Sequence, residues 1–157
     1  KELGCDLILL EMMYDPDRIP PALAAGRSAG LPLWAGFSIG QDEEGKPAGY
    51  GDSGYSIDEV FHCIDPDTVD VMGLMHSGAP LTRPGLEILR RYWSGPLSAY
   101  PDSGYFTMPD WNFERILSPQ EFLEYSRSWF ENGVRVLGGC CGLGPEHISV
   151  LQELKSQ

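Results

Sequence analysis

The sequence predicts an α/β protein with a parallel sheet, and two observations support that prediction. Five short, mostly apolar segments recur along the chain, and each is followed by a segment with helical features. The apolar segments largely lack the alternation of apolar and polar residues that half-exposed strands show. Strands that are apolar on both faces belong to a parallel sheet whose faces are covered.

The five predicted strands are short apolar runs, several of them rich in β-branched or aromatic residues. The first run ends in Glu11, and the last, which starts at Val134, leads into glycines. The second is followed by a long, polar, glycine-rich loop over residues 40–55, and a loop of this length usually carries function. The predicted strands are residues 7–10, 33–38, 69–75, 96–100 and 134–137.

The predicted helices are recognised by their end signals and by the spacing of their apolar residues. The first is rich in Ala and stops at Gly30, and the fourth opens with a capping box that joins Ser118 to Glu121. The predicted helices are residues 20–29, 56–63, 83–92, 118–130 and a segment from 145. We expect His62 and His147 on helix surfaces and assign them no role.

Two architectures contain five parallel strands of this kind, an open doubly wound sheet and a (β/α)8 barrel. A barrel uses about 30 residues for each βα unit, so residues 1–157 accommodate about five units. No Gly-x-Gly-x-x-Gly follows an early strand and no phosphate loop is present, so the usual nucleotide ligand of open sheets is unsupported. Because the chain has no initiator Met and runs at once into a strand, we expect it to begin mid-protein.

The composition argues against several classes of function. The 157 residues include 11 basic and 23 acidic side chains, for a net charge of -12, and 42% are hydrophobic. Nucleic-acid binders concentrate Lys and Arg on one face, so we expect no nucleic acid as a partner. No apolar run approaches the ~20 residues that cross a bilayer, so we expect no membrane contact. Four cysteines, two of them adjacent, are typical of a reducing, cytoplasmic setting.

The carboxyl ends of parallel strands form the active face of either architecture, so polar residues there are predicted to meet. Those residues are Glu11, Ser38, His76, Tyr100, Asp102, Cys140 and Cys141. Two thiolates and an imidazole make a three-ligand site for Zn²⁺, with a fourth position left for substrate. From the residues alone, the alternatives are a hydrogen-bonded scaffold histidine and a redox-active cysteine pair, although no Cys-x-x-Cys supports the second.

The sequence Gly138-Gly139-Cys140-Cys141-Gly142, followed by Pro145-Glu146-His147-Ile148, closely resembles the end of the homocysteine S-methyltransferase family. Three further segments resemble that family in the same order: Asp6-Leu7-Ile8-Leu9-Leu10-Glu11, Leu31-Pro32-Leu33-Trp34 and Tyr100-Pro101-Asp102-Ser103-Gly104. The resemblance spans nearly the whole chain. It implies a (β/α)8 barrel of which residues 1–157 are the last five units, with the first three units absent from this chain.

The resemblance implies zinc-dependent methyl transfer from an activated donor to the thiol of homocysteine, giving methionine. The family binds zinc through three cysteines, of which Cys140 and Cys141 match the last two, and His76 stands where the family has the first. The matching Glu of the family binds the ammonium group of the substrate. We expect the substrate to contact Glu11, Ser38, Asp102, Gly138 and Gly139.

The exchange of a thiolate for an imidazole at His76 makes the metal site less negative by one charge and motivates a competing interpretation. In that interpretation the protein keeps the barrel but binds a small molecule without transferring a methyl group. The expected partners are small molecules, namely homocysteine and a methyl donor with a good leaving group: a sulfonium, a quaternary ammonium or a methylated folate. Assembly into a homo-oligomer is left open.

Overall fold

Five parallel strands form the central sheet of the computed structural model, which describes residues 2–51, 53–107, 109–113 and 115–156. Each strand lies beside its predecessor and its successor in the chain. The strands are β1 (Ile8–Met13), β2 (Leu33–Phe37), β3 (Val71–Gly78), β4 (Leu97–Asp102) and β5 (Val134–Leu137). The predicted α/β class and five-stranded parallel sheet are therefore confirmed.

A helix follows each strand of the sheet. The five helices are α1 (Ile19–Ser28), α2 (Ile57–His62), α3 (Ala79–Leu89), α4 (Pro119–Glu131) and α5 (Pro145–Val150). Short 3-10 helices at Pro66–Thr68 and Leu151–Ser156 complete the helical segments. Two short antiparallel hairpins, which the sequence did not predict, pair Gly40–Gln41 with Pro47–Ala48 and Tyr105–Thr107 with Asp110–Asn112.

The core lies between the sheet and one layer of helices. Side chains of alternate strand residues, such as Phe37 and Leu74, share a single cluster with Leu23 of α1, Leu89 of α3 and Phe122 of α4. A sequential strand order with helices on one face is the arrangement of a (β/α)8 barrel, whereas a doubly wound sheet carries helices on both faces. The structure is consistent with part of a barrel.

The opposite face of the sheet would line the interior of such a barrel. On β1, Ile8 and Leu10 pack against the core, whereas Leu9 is 39% exposed and Glu11 is exposed. This alternation follows from the two-residue period of a strand. The phenol of Tyr100 on β4 reaches across this face and lies where a Cβ on Gly36 would be.

Three strands, β1, β3 and β4, run further than the sequence predicts, and β1 and β3 contain a bulge near that end. The pairing of β1 shifts between Leu10 and Met13, and the pairing of β3 shifts between Met75 and Gly78. Glu11 therefore lies within β1 rather than at its end. The bulges extend the strands because an inserted residue lets pairing resume one step later.

Helix α3 begins at Ala79, four residues before the predicted start. Pro80 occupies the first turn, where a missing N–H costs nothing because no partner exists there. Pro84 lies inside the helix. The predicted capping box at Ser118 is observed, and α2 has a second one at Ser56 that was not predicted; each has a Glu three residues on.

Candidate metal centre

The bulge in β3 presents His76 at the carboxyl end of the sheet. The φ of His76 is 46°, in the left-handed region that non-glycine residues rarely adopt. Ser77 Oγ donates to the Met75 carbonyl at 2.9 Å and accepts from the Ile39 N–H at 2.9 Å, and Ser38 Oγ donates to the same carbonyl at 3.2 Å. These bonds from the neighbouring strand segment hold the bulge in place.

The second part of the site is a loop over residues 138–144, called here the cysteine loop. Its backbone continues the pairing of β4 and β5, because Gly138 N–H donates to Ala99 at 3.0 Å and Cys140 N–H donates to Pro101 at 2.8 Å. Gly142, with a φ of 79°, approaches Ser103 so closely that a Cβ there would overlap the Ser103 carbonyl. The loop is therefore pressed against the end of β4, with Cys140 and Cys141 facing β3.

The side chains of His76, Cys140 and Cys141 converge with the spacing of metal ligands. Nδ1 of His76 lies 3.5 Å from Sγ of Cys140 and 3.7 Å from Sγ of Cys141, and the two sulfurs are 3.8 Å apart. A tetrahedral zinc with Zn–S of about 2.3 Å and Zn–N of about 2.0–2.1 Å separates two sulfurs by about 3.8 Å and a sulfur from a nitrogen by about 3.6 Å. The three residues therefore fit a tetrahedral metal ion with one further position to fill.

The electrostatics of the site also favour a cation. The pKa of the Cys140 thiol is raised to about 11, mainly by burial, with smaller contributions in the same direction from the Cys141 thiol and the Asp102 carboxylate. Burial likewise raises the pKa of Asp102, an effect that the nearby His76 imidazole partly offsets. A thiol in these surroundings stays protonated at neutral pH unless positive charge is supplied, and a bound divalent metal ion supplies it.

The predicted substrate residues lie around the metal ligands in different ways. Asp102 is half-buried at the end of β4, and Glu11 is exposed on the face that would line a barrel. Ser38 is only 1% exposed, and its hydroxyl donates to the Met75 carbonyl at the β3 bulge. The Gly138 N–H is already bonded to Ala99, and a Cβ on Gly139 would meet the Leu143 side chain, so both glycines keep the loop compact.

Three tyrosines, Tyr14, Tyr50 and Tyr100, border this site, and only Tyr100 was among the residues predicted to meet at the carboxyl ends of the strands. The Tyr50 ring lies 6.0 Å from the His76 ring and 5.2 Å from the Tyr14 ring. Burial raises the pKa of Tyr50, and Asp102, Tyr14 and both loop cysteines raise it further, so its phenol lies near the metal ligands. Its position between two glycines in the long loop after β2 was the available signal.

Tyr100 is the third of these tyrosines. Burial is the largest cause of its raised pKa, followed by the charges of Glu11 and Cys140. Its buried hydroxyl has no hydrogen-bond partner among the residues that the structure describes. A buried polar atom of this kind usually has a partner outside the protein chain, such as water or a ligand.

The expectation that both remaining histidines lie on helix surfaces is half right. His62 is exposed on α2, but His147 is only 1% exposed. The ring of His147 packs edge-on against Phe122 and bonds to the Leu117 carbonyl. The sequence did not predict this burial because Leu117 is 30 residues away in the chain.

Comparison with known proteins gives the family. Residues 1–154 match the family described as Homocysteine S-methyltransferase, so the chain belongs to the homocysteine S-methyltransferase family. Betaine–homocysteine S-methyltransferase 1 of Danio rerio is 29% identical over 168 residues, which cover 97% of this chain and 41% of that protein. Methionine synthase of Mycobacterium tuberculosis is 28% identical over 153 residues, covering 92% of this chain and 12% of that protein.

Solved structures show the same fold. The oxidized form of the homocysteine methyltransferase MmuM from Escherichia coli aligns with a TM-score of 0.73 at 21% identity, covering 98% of this chain and 47% of that one. The metallated form of MmuM aligns with a TM-score of 0.71. The chain spans about two fifths of the length of the betaine–homocysteine methyltransferases that it matches. No described helix is long and apolar enough to cross a membrane.

Proposed function

We propose that the protein transfers a methyl group from an activated donor to the thiol of homocysteine, giving methionine, with zinc bound by His76, Cys140 and Cys141. The observation that carries this proposal is the tetrahedral spacing of those three side chains in a chain of this family. In this proposal, residues 1–157 supply five consecutive βα units of a (β/α)8 barrel. The four free cysteines and the thiol substrate suit a reducing compartment such as the cytoplasm.

A zinc ion at this site would hold the substrate thiol as a thiolate at neutral pH and keep it in one place for attack on the methyl carbon. Cys140 and Cys141 contribute two negative charges to the site, and His76 contributes a neutral ring nitrogen. Compared with three thiolates, this ligand set would leave the metal a stronger Lewis acid, which withdraws more charge from the bound substrate sulfur. The open side of the site is bordered by Tyr50.

Other residues would bind the ends of homocysteine. Glu11 projects from the barrel-lining face and supplies a carboxylate for the substrate ammonium group, and the unpartnered Tyr100 hydroxyl lies close enough to feel its charge. Asp102 lies beside His76 and Tyr50 at the rim. Gly138 and Gly139 let the cysteine loop pack closely beside the sulfurs, because a Cβ on Gly138 would come within 3.3 Å of Tyr100 and one on Gly139 within 2.7 Å of Leu143.

Ser38 takes a supporting role in this proposal. Its buried hydroxyl bonds to the Met75 carbonyl and approaches the sulfurs of Met12 and Met75. It thereby holds the backbone on which His76 is presented. Ser38 acts on the substrate through His76 rather than by touching it.

The aromatic surface beside the ligands bears on the methyl donor. Tyr14 and Tyr50 lie ring against ring at 5.2 Å, and two such faces attract a cationic methyl carrier through their negative π-clouds. Sulfonium and quaternary ammonium donors carry that charge, and a methylated folate would stack on the same rings. The donor screen below includes all three classes.

The test is metal analysis followed by turnover. The whole protein is purified under reducing conditions without chelator, and its metal content is measured by elemental mass spectrometry; we expect about one zinc per chain. Homocysteine and each donor class are then supplied, and methionine is quantified. Methionine from any donor supports the proposal. A protein that neither binds zinc nor forms methionine would instead be a relative that binds a small molecule and has lost methyl transfer through the exchange at His76.

A further inference from the structure

His147 is a buried histidine whose two ring nitrogens are both engaged. The Gly144 N–H donates to Nδ1 at 3.0 Å, and Nε2 lies 2.7 Å from the Leu117 carbonyl oxygen. A backbone N–H can only donate, so Nδ1 is the acceptor and the ring proton is on Nε2, where it is donated to Leu117. The exposed Glu146 carboxylate lies 3.3 Å from Nδ1 but offers only acceptors to a nitrogen that is already accepting.

The bond to Leu117 is one link in a longer chain of hydrogen bonds. The Leu117 N–H donates to Ser103 Oγ at 2.6 Å, and the Ser103 N–H donates to the Cys141 carbonyl at 2.8 Å. The chain thus starts at Gly144 and returns to Cys141. Its two ends are attached to the second half of the cysteine loop, so His147, Leu117 and Ser103 clamp the part of the loop that follows the metal ligands.

Packing makes this clamp rigid. The His147 ring lies edge-on to the fully buried Phe122 of α4 at 6.0 Å, and Ser103 is only 5% exposed. The close approach of Gly142 to the Ser103 carbonyl presses the loop onto the same point. Buried hydrogen bonds of this kind compete with little water, and leaving any one group unpaired would be costly.

From this arrangement we infer that His147 is a positioning residue for the metal site, acting through Leu117 and Ser103 to hold Cys140 and Cys141 beside His76. Capping of α5 alone does not account for both hydrogen bonds of the His147 ring. At the third position of a helix, a Glu or Gln side chain accepts the bond from the capping N–H, and Gly144 needs no more than that. The bond from Nε2 to Leu117 lies beyond the cap and reaches a different segment of the chain.

The inference rests on the proposed metal site, and its test separates the two. His147→Gln keeps an acceptor for the Gly144 N–H but loses the bond to Leu117, and Ser103→Ala breaks the next link. Co²⁺ affinity of the whole protein is measured by chelator competition, following the thiolate-to-cobalt absorption. His62→Gln and Ser149→Ala, both at exposed positions, are the matched controls.

Groups that orient metal ligands typically change metal affinity by about 10–100-fold, and we expect the low end, about tenfold, for His147→Gln and for Ser103→Ala. The double variant should lose little more than either single variant, because both act on one chain of bonds. Iodoacetamide should also alkylate Cys140 and Cys141 of the metal-free single variants faster than in the unsubstituted protein. The controls should match the unsubstituted protein.

Equal Co²⁺ affinity in the unsubstituted protein and in both folded single variants would overturn the clamp and leave the metal site standing. Losses that simply add in the double variant would overturn the shared chain of bonds. Absence of Co²⁺ binding in the unsubstituted protein would overturn both proposals. Circular dichroism establishes that each variant is folded, and Ser103→Ala, which removes a single hydroxyl, keeps the test valid if His147→Gln does not fold.

Discussion

The helix-facing side of the sheet and the carboxyl end of the same strands differ in polarity, burial and backbone conformation. On the helix-facing side, Phe37, Leu74 and Leu89 are at most 1% exposed and belong to the apolar core cluster. At the carboxyl end, Met12 and His76 have positive φ angles and the surrounding groups are polar and half-buried. The apolar residues that stabilise the fold and the polar residues of the candidate site therefore occupy different parts of the same strands.

The separation has an energetic reason. Non-glycine residues in sparsely populated backbone regions cost about 1–3 kcal/mol each, so two such residues are tolerated only where the surroundings enforce them. The Met75 carbonyl and sulfur, held by Ser38, enforce both bulges at once, since the Met12 N–H also points to the Met75 sulfur. The apolar side supplies the stability that lets this strained end persist.

The largest expected effect is on the apolar side. Leu89→Ala removes a fully buried side chain of α3 and should lower the free energy of unfolding by about 2–5 kcal/mol, because of lost burial and the cavity that remains. Urea denaturation of the metal-free protein measures it. Leu3→Ala is the matched control, since Leu3 is 97% exposed and should change stability very little. Equal effects of the two variants would contradict the assigned core.

The next effect is on the carboxyl end. Cys140→Ser should weaken zinc binding by about 2.5–4 kcal/mol, roughly one quarter of the ~10–16 kcal/mol that a four-ligand structural site supplies. The unfolding free energy of the metal-free protein should barely change. Competition with a chelator gives the affinity, and Cys5→Ser at an exposed cysteine is the control. Unaltered zinc affinity in Cys140→Ser would remove this residue from the site.

A smaller change is expected at the third ligand. His76→Cys should keep zinc affinity within about tenfold, because a thiolate is an equally good ligand. The opposing effect is that Cys adopts a positive φ less often than His does. The cobalt-loaded variant should show stronger thiolate-to-cobalt absorption than the unsubstituted protein. His76→Ala, which has no ligand atom, should lose binding. Equal affinities of the Cys and Ala variants would show that position 76 does not touch the metal.

The smallest effect is local to a helix end that belongs to neither region. Ser118→Ala removes the side-chain half of the α4 capping box and should lower the unfolding free energy by about 1 kcal/mol. Zinc affinity should stay unchanged. Thermal unfolding with and without metal measures both, and Ser149→Ala provides a non-capping comparison. A loss of metal affinity in Ser118→Ala would show that the α4 cap is energetically coupled to the metal site.

Much of the fold followed from local patterns in the sequence. The five strands were predicted in the right order because each is a short apolar run, and the α4 cap was predicted because Ser118 and Glu121 have the capping-box spacing. The convergence of His76 with Cys140 and Cys141 followed from the rule that parallel strands share one carboxyl end.

The details of the site did not follow from those patterns. A positive φ at His76 is imposed by Ser38 and Ser77 and leaves no mark in the residues next to it. Tyr50 lies next to His76 because the loop after β2 brings its ring to the carboxyl end of β3. The burial of His147 depends on Leu117, a partner far away in the chain.

Local patterns in the sequence were enough to predict the fold class, the family and the set of residues that could bind a metal, because periodicity, end signals and ligand chemistry are local properties. Only the folded chain shows that the ligand atoms of His76, Cys140 and Cys141 lie 3.5–3.8 Å apart, that the Ser38 hydroxyl is buried against the Met75 carbonyl, and that His147 is buried. These outcomes depend on contacts between segments 30 or more residues apart. Such contacts form only when the strands are aligned side by side, and the register of that alignment is a property of the whole sheet.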